Sequence, residues 1–350
     1  MNKYHFDIKI NDRSNNAGTK ATDDCKTVLL RNGYRNIEIS FNKSKFLLLF
    51  NLLKLIYRLL YYIFVIPPRS LIIVQYPLKG INLYFKYFIR LLKIKGCKFF
   101  CIIHDLESLR SGGNQVEFKK EIDALLAYDA VISHNPCMSK WLIENGYTKH
   151  FEEIVLFDYL VEDNRQAKSL PEFDKKNMAI AFAGNLNKTN FISGLSNANF
   201  SFKINLYGPL KNIPDSKNEK IKWRGSFSPE NVVEELEGDF GLIWDGDSMD
   251  DISGPMGHYL KYNTPHKTSL YLVAGLPVII PENAAIADFI RTNNVGFCIN
   301  NLASISQDTC EINNASYREM KKNALLIGDK LKNGWYFNQA VIRVENYLYP

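Results

Sequence analysis

No CxxC pair occurs in this chain. Its six cysteines, Cys25, Cys97, Cys101, Cys137, Cys298 and Cys310, are scattered. That excludes a zinc ribbon, a redox motif and a disulfide framework, and points to a reducing cytosol. The loop after the first apolar run, Asn11 to Lys20, holds a single glycine, Gly18. A dinucleotide fingerprint needs three at G-x-G-x-x-G spacing, so an epimerase or dehydrogenase built on the same kind of sheet is excluded. Disorder, collagen and coiled coil are excluded by composition, since 46% of the 350 residues are apolar and 23% charged. The largest lack is of acid. Between Ile39 and His104 there is no Asp or Glu, against eleven Lys or Arg.

The net charge of +6 is uneven, +8 over residues 1–168 and −2 over the rest. An acid-free basic run is a signature of contact with nucleic acid, an acidic lipid surface or a phosphorylated substrate. A solvated face with no partner is the plain alternative. Phe46 to Ile66 is about as long as a bilayer span, but Asn51, Lys54 and Arg58 recur on one helical face. Two central charges make spanning costly. An amphipathic helix lying in the membrane interface, or packed on a domain, fits better. Tyr84 to Phe100 repeats the mix of aromatic, aliphatic and basic residues. Two such elements favour peripheral attachment to an anionic membrane; core helices with basic outer faces are the alternative. No nucleic-acid recognition motif accompanies the charge. The first residues alternate polar and apolar, so they read as a strand and not as a signal peptide.

Strands and helices alternate along both halves. Strands are expected near Phe6–Ile10, Asn36–Phe41, Ser70–Gln75, Lys98–His104 and Asp129–Ser133, with helices between them. After a polar linker at 168–176, further strands are expected near Met178–Ala183, Phe202–Tyr207, Ile221–Arg224, Phe240–Trp244 and Pro277–Ile280. The fold class is therefore α/β, with two doubly wound Rossmann-like domains facing a cleft, the GT-B architecture. The expected parts are residues 1–167, residues 168–334, and a helix over 335–350 that crosses back to the first domain.

Several runs carry a resemblance. They are His104-Asp105-Leu-Glu-Ser-Leu-Arg110, Val131-Ile-Ser-His-Asn-Pro136, Phe157-Asp-Tyr-Leu-Val161, Phe182-Ala-Gly184-Asn185-Leu186, Gly241-Leu-Ile-Trp-Asp245-Gly-Asp247-Ser248 and, strongest, Tyr259 to Leu272 (YLKYNTPHKTSLYL). Asn11-Asp12 and Ala17-Gly18-Thr19-Lys20 join them. Together and in order, they resemble the bacterial β-1,6-galactofuranosyltransferases of surface-polysaccharide synthesis. More distantly, they are similar to the adhesin-modifying glucosyltransferases. The match is weakest over residues 40–95.

The resemblance implies transfer of a hexose, galactofuranose foremost, from a UDP-sugar to a glycan or lipid-linked glycan acceptor. It implies no cofactor besides that donor. A diphosphate needs backbone N–H groups, a helix N-terminus and cations. Pro265-His266-Lys267-Thr268-Ser269 supplies them, with Thr268 or Ser269 expected as the cap and Lys261 adding charge. A merely well-capped helix is the plain alternative. Where related retaining enzymes carry a ribose-holding Glu, this chain has Leu270. Gly184 and Asn185 allow close backbone approach, and Gly18, Thr19, Lys20, Arg224 and Asp245 complete the expected donor contacts. Asp245-Gly-Asp247 has the form of a divalent-cation motif. That metal site belongs to the other main glycosyltransferase architecture, and Lys261 and Lys267 can balance phosphates, so no metal is expected.

Inversion at the anomeric carbon needs a general base. Asp105, at a strand end where doubly wound folds place their sites, is expected in that role, with His104 contacting the donor. The two roles are interchangeable, and Asp105 as a helix cap is the alternative. Asp12, Asp23 and Asp24 are reserve candidates. The expected location is cytoplasmic, peripheral on the inner face of the cell membrane. A homo-oligomer is left open. A non-catalytic membrane-docking module remains the alternative from another class, as does a transferase using UDP-glucose or UDP-galactopyranose.

Overall fold

The computed structural model describes residues 1–11, 19–42, 48–78, 82–162, 172–188, 191–195, 200–210 and 218–350. They form two compact units, Met1–Ile154 with Tyr336–Pro350, and Val155–Trp335.

The first unit is built on a six-stranded parallel sheet: β1 (Lys3–Asn11), β2 (Arg35–Asn42), β3 (Leu71–Tyr76), β4 (Lys98–Ile103), β5 (Ala130–Ser133) and β6 (His150–Glu153), in the order β2-β1-β3-β4-β5-β6. The inner strands read LIIVQY and KFFCII because helices cover both faces of a parallel sheet. Chain order reverses between β1 and β3, which makes their carboxyl ends the switch point. Asn114 caps the helix Gln115–Leu125 in a capping box with Glu117, and Asn135 caps the helix Pro136–Glu144. The last helix, Trp335–Leu348, docks on this sheet. Glu345 accepts from Lys3 and Tyr34, Arg343 pairs with Glu152 at 2.7 Å, and Tyr347 stacks on His150.

The acid-free stretch contributes two helices, Leu48–Val65 and Asn82–Ile94, that pack on one another. Phe6 of β1 meets the rings of Tyr62, Phe85 and Phe88 edge-on, which fixes both helices to the sheet. No helix among the described residues is long and apolar enough to cross a membrane. The outermost face of Leu48–Val65 is not the Asn51/Lys54/Arg58 face, which is half-buried. It is a row of apolar residues, Phe50, Leu53, Tyr57, Leu60 and Phe64, with Phe64 83% exposed.

The second unit holds β7 (Ala179–Ala183), β8 (Lys203–Tyr207), β9 (Ile221–Gly225), β10 (Phe240–Leu242), β11 (Val278–Pro281) and β12 (Gly296–Ile299), all parallel, in the order β12-β11-β10-β7-β8-β9. Here the switch point lies between β7 and β10. Phe173, Phe240 and Tyr317 pack against one another at one face, joining the sheet to the long helix Asn314–Lys332. The ten expected strands are all present. β6 and β12, one edge strand of each sheet, are additional.

Candidate functional site

In the second unit the strand ends at the switch point are bridged by one hydroxyl. β7 and β10 pair only at Phe240–Ile180 and Gly241–Ala181, then diverge. Tyr271, fully buried on the helix His266–Val273, reaches into the gap. Its hydroxyl accepts from Ala183 N–H at 2.8 Å and donates to Leu242 C=O at 3.1 Å, so neither strand end is left unpaired. Residue 241 must be glycine, because a Cβ there would stand 2.2 Å from the Tyr271 ring. Burial pushes the Tyr271 phenol well above its ordinary range, so it stays neutral.

The two strand ends bring Gly184 and Asp245 to Lys267, in the first turn of the same helix. Lys267 Nζ donates to Asp245 Oδ1 at 2.7 Å and lies over the Phe182 ring at 4.7 Å. Both partners of the ion pair are 23% exposed. A Cβ at residue 184 would come within 3.2 Å of Lys267 Cε, and one at residue 208 within 1.8 Å of Gly184 O. The two glycines therefore let the backbone turn away beside the ammonium group, with Gly208 at φ +135°. Asp247 does not join Asp245 on Lys267, since its carboxylate lies against Gly254.

The neighbours of Lys267 do other work. Pro265 stands at the N-cap, and no side chain caps this helix, contrary to the role expected of Thr268 or Ser269. Ser269 is fully buried and donates to Phe157 C=O, Thr264 donates to Val155 C=O at 3.1 Å, and His266 donates to Asp158 C=O at 3.2 Å while stacking on Tyr159. Together they pin residues 155–159, which is why that segment joins the second unit. Among the described residues, two buried oxygens near this helix start lack a hydrogen-bond partner: Thr268 Oγ1 and Asn263 Oδ1. Lys261 is exposed on the turn before them. Asn185 receives the Asn187 N–H, and Arg224 is tied to Asn205 at 2.9 Å and Glu237 at 3.0 Å.

In the first unit, His104 and Asp105 follow β4. His104 Nε2 donates to Gln75 Oε1 at 2.7 Å, and the Gln75 amide reaches His5 Nε2 at 3.0 Å. A carbonyl oxygen only accepts, so the proton on His104 Nε2 is fixed. Burial lowers His5 to about 4, so its imidazole is neutral. Asp105 does not cap the short helix Glu107–Arg110, whose N-cap is Leu106. It pairs with Arg110 at 2.7 Å, both half-exposed. Glu121, buried on the helix Gln115–Leu125, accepts from the Glu107 and Ser108 N–H groups, the Ser108 hydroxyl and the Tyr76 hydroxyl. Burial raises its carboxyl above the usual range, although these donors oppose the shift. At the first switch point Thr19 is exposed, while Lys20 is buried in an ion pair with Asp24. Asp23 lies with them on the helix Lys20–Arg31. Asp12 and Gly18 lie outside the described residues.

Residues 3–154 match the family model of the glucosyltransferase 3-like N-terminal domain, and residues 180–344 match that of its C-terminal domain. The chain belongs to the glucosyltransferase 3-like family. It is 34% identical over 266 residues to the β-1,6-galactofuranosyltransferase WbbI of Escherichia coli, covering 75% of this chain and 74% of that one. It is 26% identical over 256 residues to glucosyltransferase 3 of Streptococcus gordonii, covering 73% of each. Among solved structures, Anabaena HepE in complex with UDP superposes with a TM-score of 0.62 at 11% identity, covering 98% of this chain and 100% of that one, a likeness of fold. The protein is thus a glycosyltransferase with two Rossmann-like domains of the GT-B class.

Within this glycosyltransferase, three positioning residues escape sequence reasoning. Tyr271 reads as an ordinary core aromatic, Glu121 as one acid of a charged surface helix, and Gln75 as the end of an apolar strand. Only the sheet order shows that Tyr271 closes the gap between β7 and β10 and that Gln75 links His5 to His104.

Proposed function

We propose that this glycosyltransferase moves a hexose, galactofuranose from UDP-galactofuranose, onto a lipid-linked or glycan acceptor of surface-polysaccharide synthesis, with inversion and without a metal ion. The observation that carries the reading is Lys267, held at the second switch point between Gly184 and Asp245. An ammonium group beside the first turn of a helix matches a diphosphate. The hydroxyls of Thr268 and Ser269 are buried, so the proposed phosphate contacts are Lys267 and the first-turn N–H groups, with Lys261 and His266 at their edge. Gly184 and Asn185 let the donor lie close to the backbone, and Asp245 takes a sugar hydroxyl or keeps Lys267 oriented. Gly18, Thr19, Lys20 and Arg224 remain proposed donor contacts.

In the reaction, the base takes the proton of the acceptor hydroxyl, whose oxygen attacks the anomeric carbon as the bond to UDP breaks. Asp105 is the proposed base and His104 its neighbour on the sugar. Lys267 and the helix N–H groups take up the charge of the departing diphosphate. The relatives named above support a sugar-transfer role, and HepE was solved with UDP. The proposed location is the cytoplasmic face of the membrane, supported by the exposed apolar row Phe50 to Phe64 and the surrounding cations.

Saturation-transfer NMR with UDP, UDP-galactofuranose, UDP-galactopyranose and UDP-glucose tests this, run with and without EDTA. The expected result is binding of UDP in both conditions and, among the three UDP-sugars, the strongest saturation of UDP-galactofuranose. Loss of UDP binding in EDTA overturns the metal-free reading, and stronger saturation of UDP-glucose than of UDP-galactofuranose overturns the sugar.

A further inference from the structure

The helix Asn82–Ile94 has three faces. Phe85, Phe88 and Leu92 point into the core. Tyr84, Tyr87, Leu91 and Ile94 form an exposed apolar ridge, with Ile94 82% exposed. The third face, Lys86, Ile89, Arg90 and Lys93, lines a groove against the helix Gln115–Leu125 and the turn after it. The groove comprises two adjoining hollows of about 440 Å³ and 360 Å³. Its floor is apolar, formed by Ala124 and Ala127 beside the edge of Ile89, and Lys120 stands on the opposite wall. Lys93 is spent on Asp129 and Ala127 C=O. Lys86, Arg90 and Lys120 make no ion pair with a described residue, and Asp123 is the sole acid of the lining. Three unneutralised cations against one acid leave a surplus of two positive charges over an apolar floor. On the wheel of the helix, Arg90 stands between this groove and the exposed ridge.

An anion alone would gain nothing from the floor or the ridge, and a hydrocarbon alone would leave the cations unpaired. A ligand with both parts satisfies the whole surface. We propose that this groove seats the phosphate headgroup of a long-chain membrane amphiphile, with its chain running along the Tyr84–Ile94 ridge into the bilayer. The site deepens the reading above and rests on its lipid-linked acceptor: it places the acceptor's phosphate on the first unit.

The test uses the full chain and phosphatidylcholine vesicles with or without a polyisoprenyl diphosphate, read by co-sedimentation. The double variant Lys86→Glu/Lys120→Glu reverses the cations. Ala127→Trp fills the groove without changing charge. The wild type should bind the doped vesicles at least about tenfold more tightly than the plain ones, since each cation near an anionic surface contributes about 1 kcal/mol. Both variants should bind the two vesicle types alike, with UDP binding unchanged by NMR. The proposal is overturned if the wild type shows no preference, if the charge-reversed variant keeps it, or if inorganic pyrophosphate abolishes it at equal concentration, which would mark a free-anion site. An Ala127→Trp protein that does not fold leaves the charge reversal to decide. Loss of UDP binding in the wild type, with lipid preference intact, would sink the donor assignment and leave the groove standing.

Discussion

Truncating Lys267 tests the donor site at its centre. The ammonium group lies 2.7 Å from Asp245 with both groups 23% exposed, so the pair is partly desolvated. A charge-assisted hydrogen bond in such a setting is worth about 1.5–3 kcal/mol. Lys267→Ala should therefore weaken UDP binding roughly 10- to 140-fold. The loss should fall near the upper end, because Asp245 is then left without its partner, facing the incoming diphosphate. Two like charges about 5 Å apart at an effective dielectric near 20 repel by about 3 kcal/mol. Removing that charge as well should recover part of the loss, so Lys267→Ala/Asp245→Asn should bind UDP more tightly than Lys267→Ala. Asp245→Asn alone should bind at least as well as the wild type, since nothing then competes with the phosphate for Lys267. Titration calorimetry at fixed ionic strength, with EDTA present, measures all four affinities. Equal affinity of wild type and Lys267→Ala would falsify the assignment. A double variant no better than the single would show that Asp245 does not face the ligand.

Asp105→Asn should lower turnover at least about a hundredfold with UDP binding little changed; unchanged turnover transfers the role to His104 or to an acid around the first loop, Asp12, Asp23 or Asp24. Tyr271→Phe keeps the ring but strips Ala183 N–H and Leu242 C=O of their shared partner, and should cost about 1–3 kcal/mol in urea unfolding; a cost near zero would mean that water replaces the hydroxyl. His134 is fully buried, donates to Ile103 C=O, and is lowered by burial to about 4. The unfolded chain then binds the proton first, so the stability from this group is complete above about pH 6.5 and declines between there and pH 4, by about 3 kcal/mol. The slope of Tm against pH should be shallower in His134→Gln, and an unaltered slope refutes it.

The strands most plainly legible in the sequence are those buried on both faces. Leu71–Tyr76 and Lys98–Ile103 have neighbours on either side and helices above and below, so their composition is almost uninterrupted apolar. The two strands without such a signal, β6 and β12, are four-residue edge strands. His150–Glu153 reads HFEE, half-buried throughout, because one edge of it faces no strand and its polar side chains serve Arg343 and Ser139. Gly296–Ile299 is likewise only partly covered, and the glycine at its start sits where a Cβ would meet Val278 O at 1.9 Å. Edge position alone does not hide a strand, since β2 and β9 lie at the opposite edges and are legible; short length with partial burial hid these two.

The candidate site divides the same way. The helix start that carries Lys267 was legible because a proline followed by basic residues is a local signal of one. What Thr264, His266 and Ser269 do was not, because their partners, the carbonyls of Val155, Asp158 and Phe157, stand more than a hundred positions earlier in the chain. From local spacing, a hydroxyl near a helix start is expected to cap that helix. In this protein Pro265 already fixes the helix entry, which releases Ser269 to hold a distant segment. The acid-free stretch shows the converse. Its charges are evident in the sequence and suggest an electrostatic surface, yet the face that Leu48–Val65 turns outward is Phe50, Leu53, Tyr57, Leu60 and Phe64. The half-buried Lys54 and Arg58 flank that row instead of leading it. Attachment through it would therefore draw on apolar burial first and on charge second, and would weaken with salt far less than a purely cationic surface.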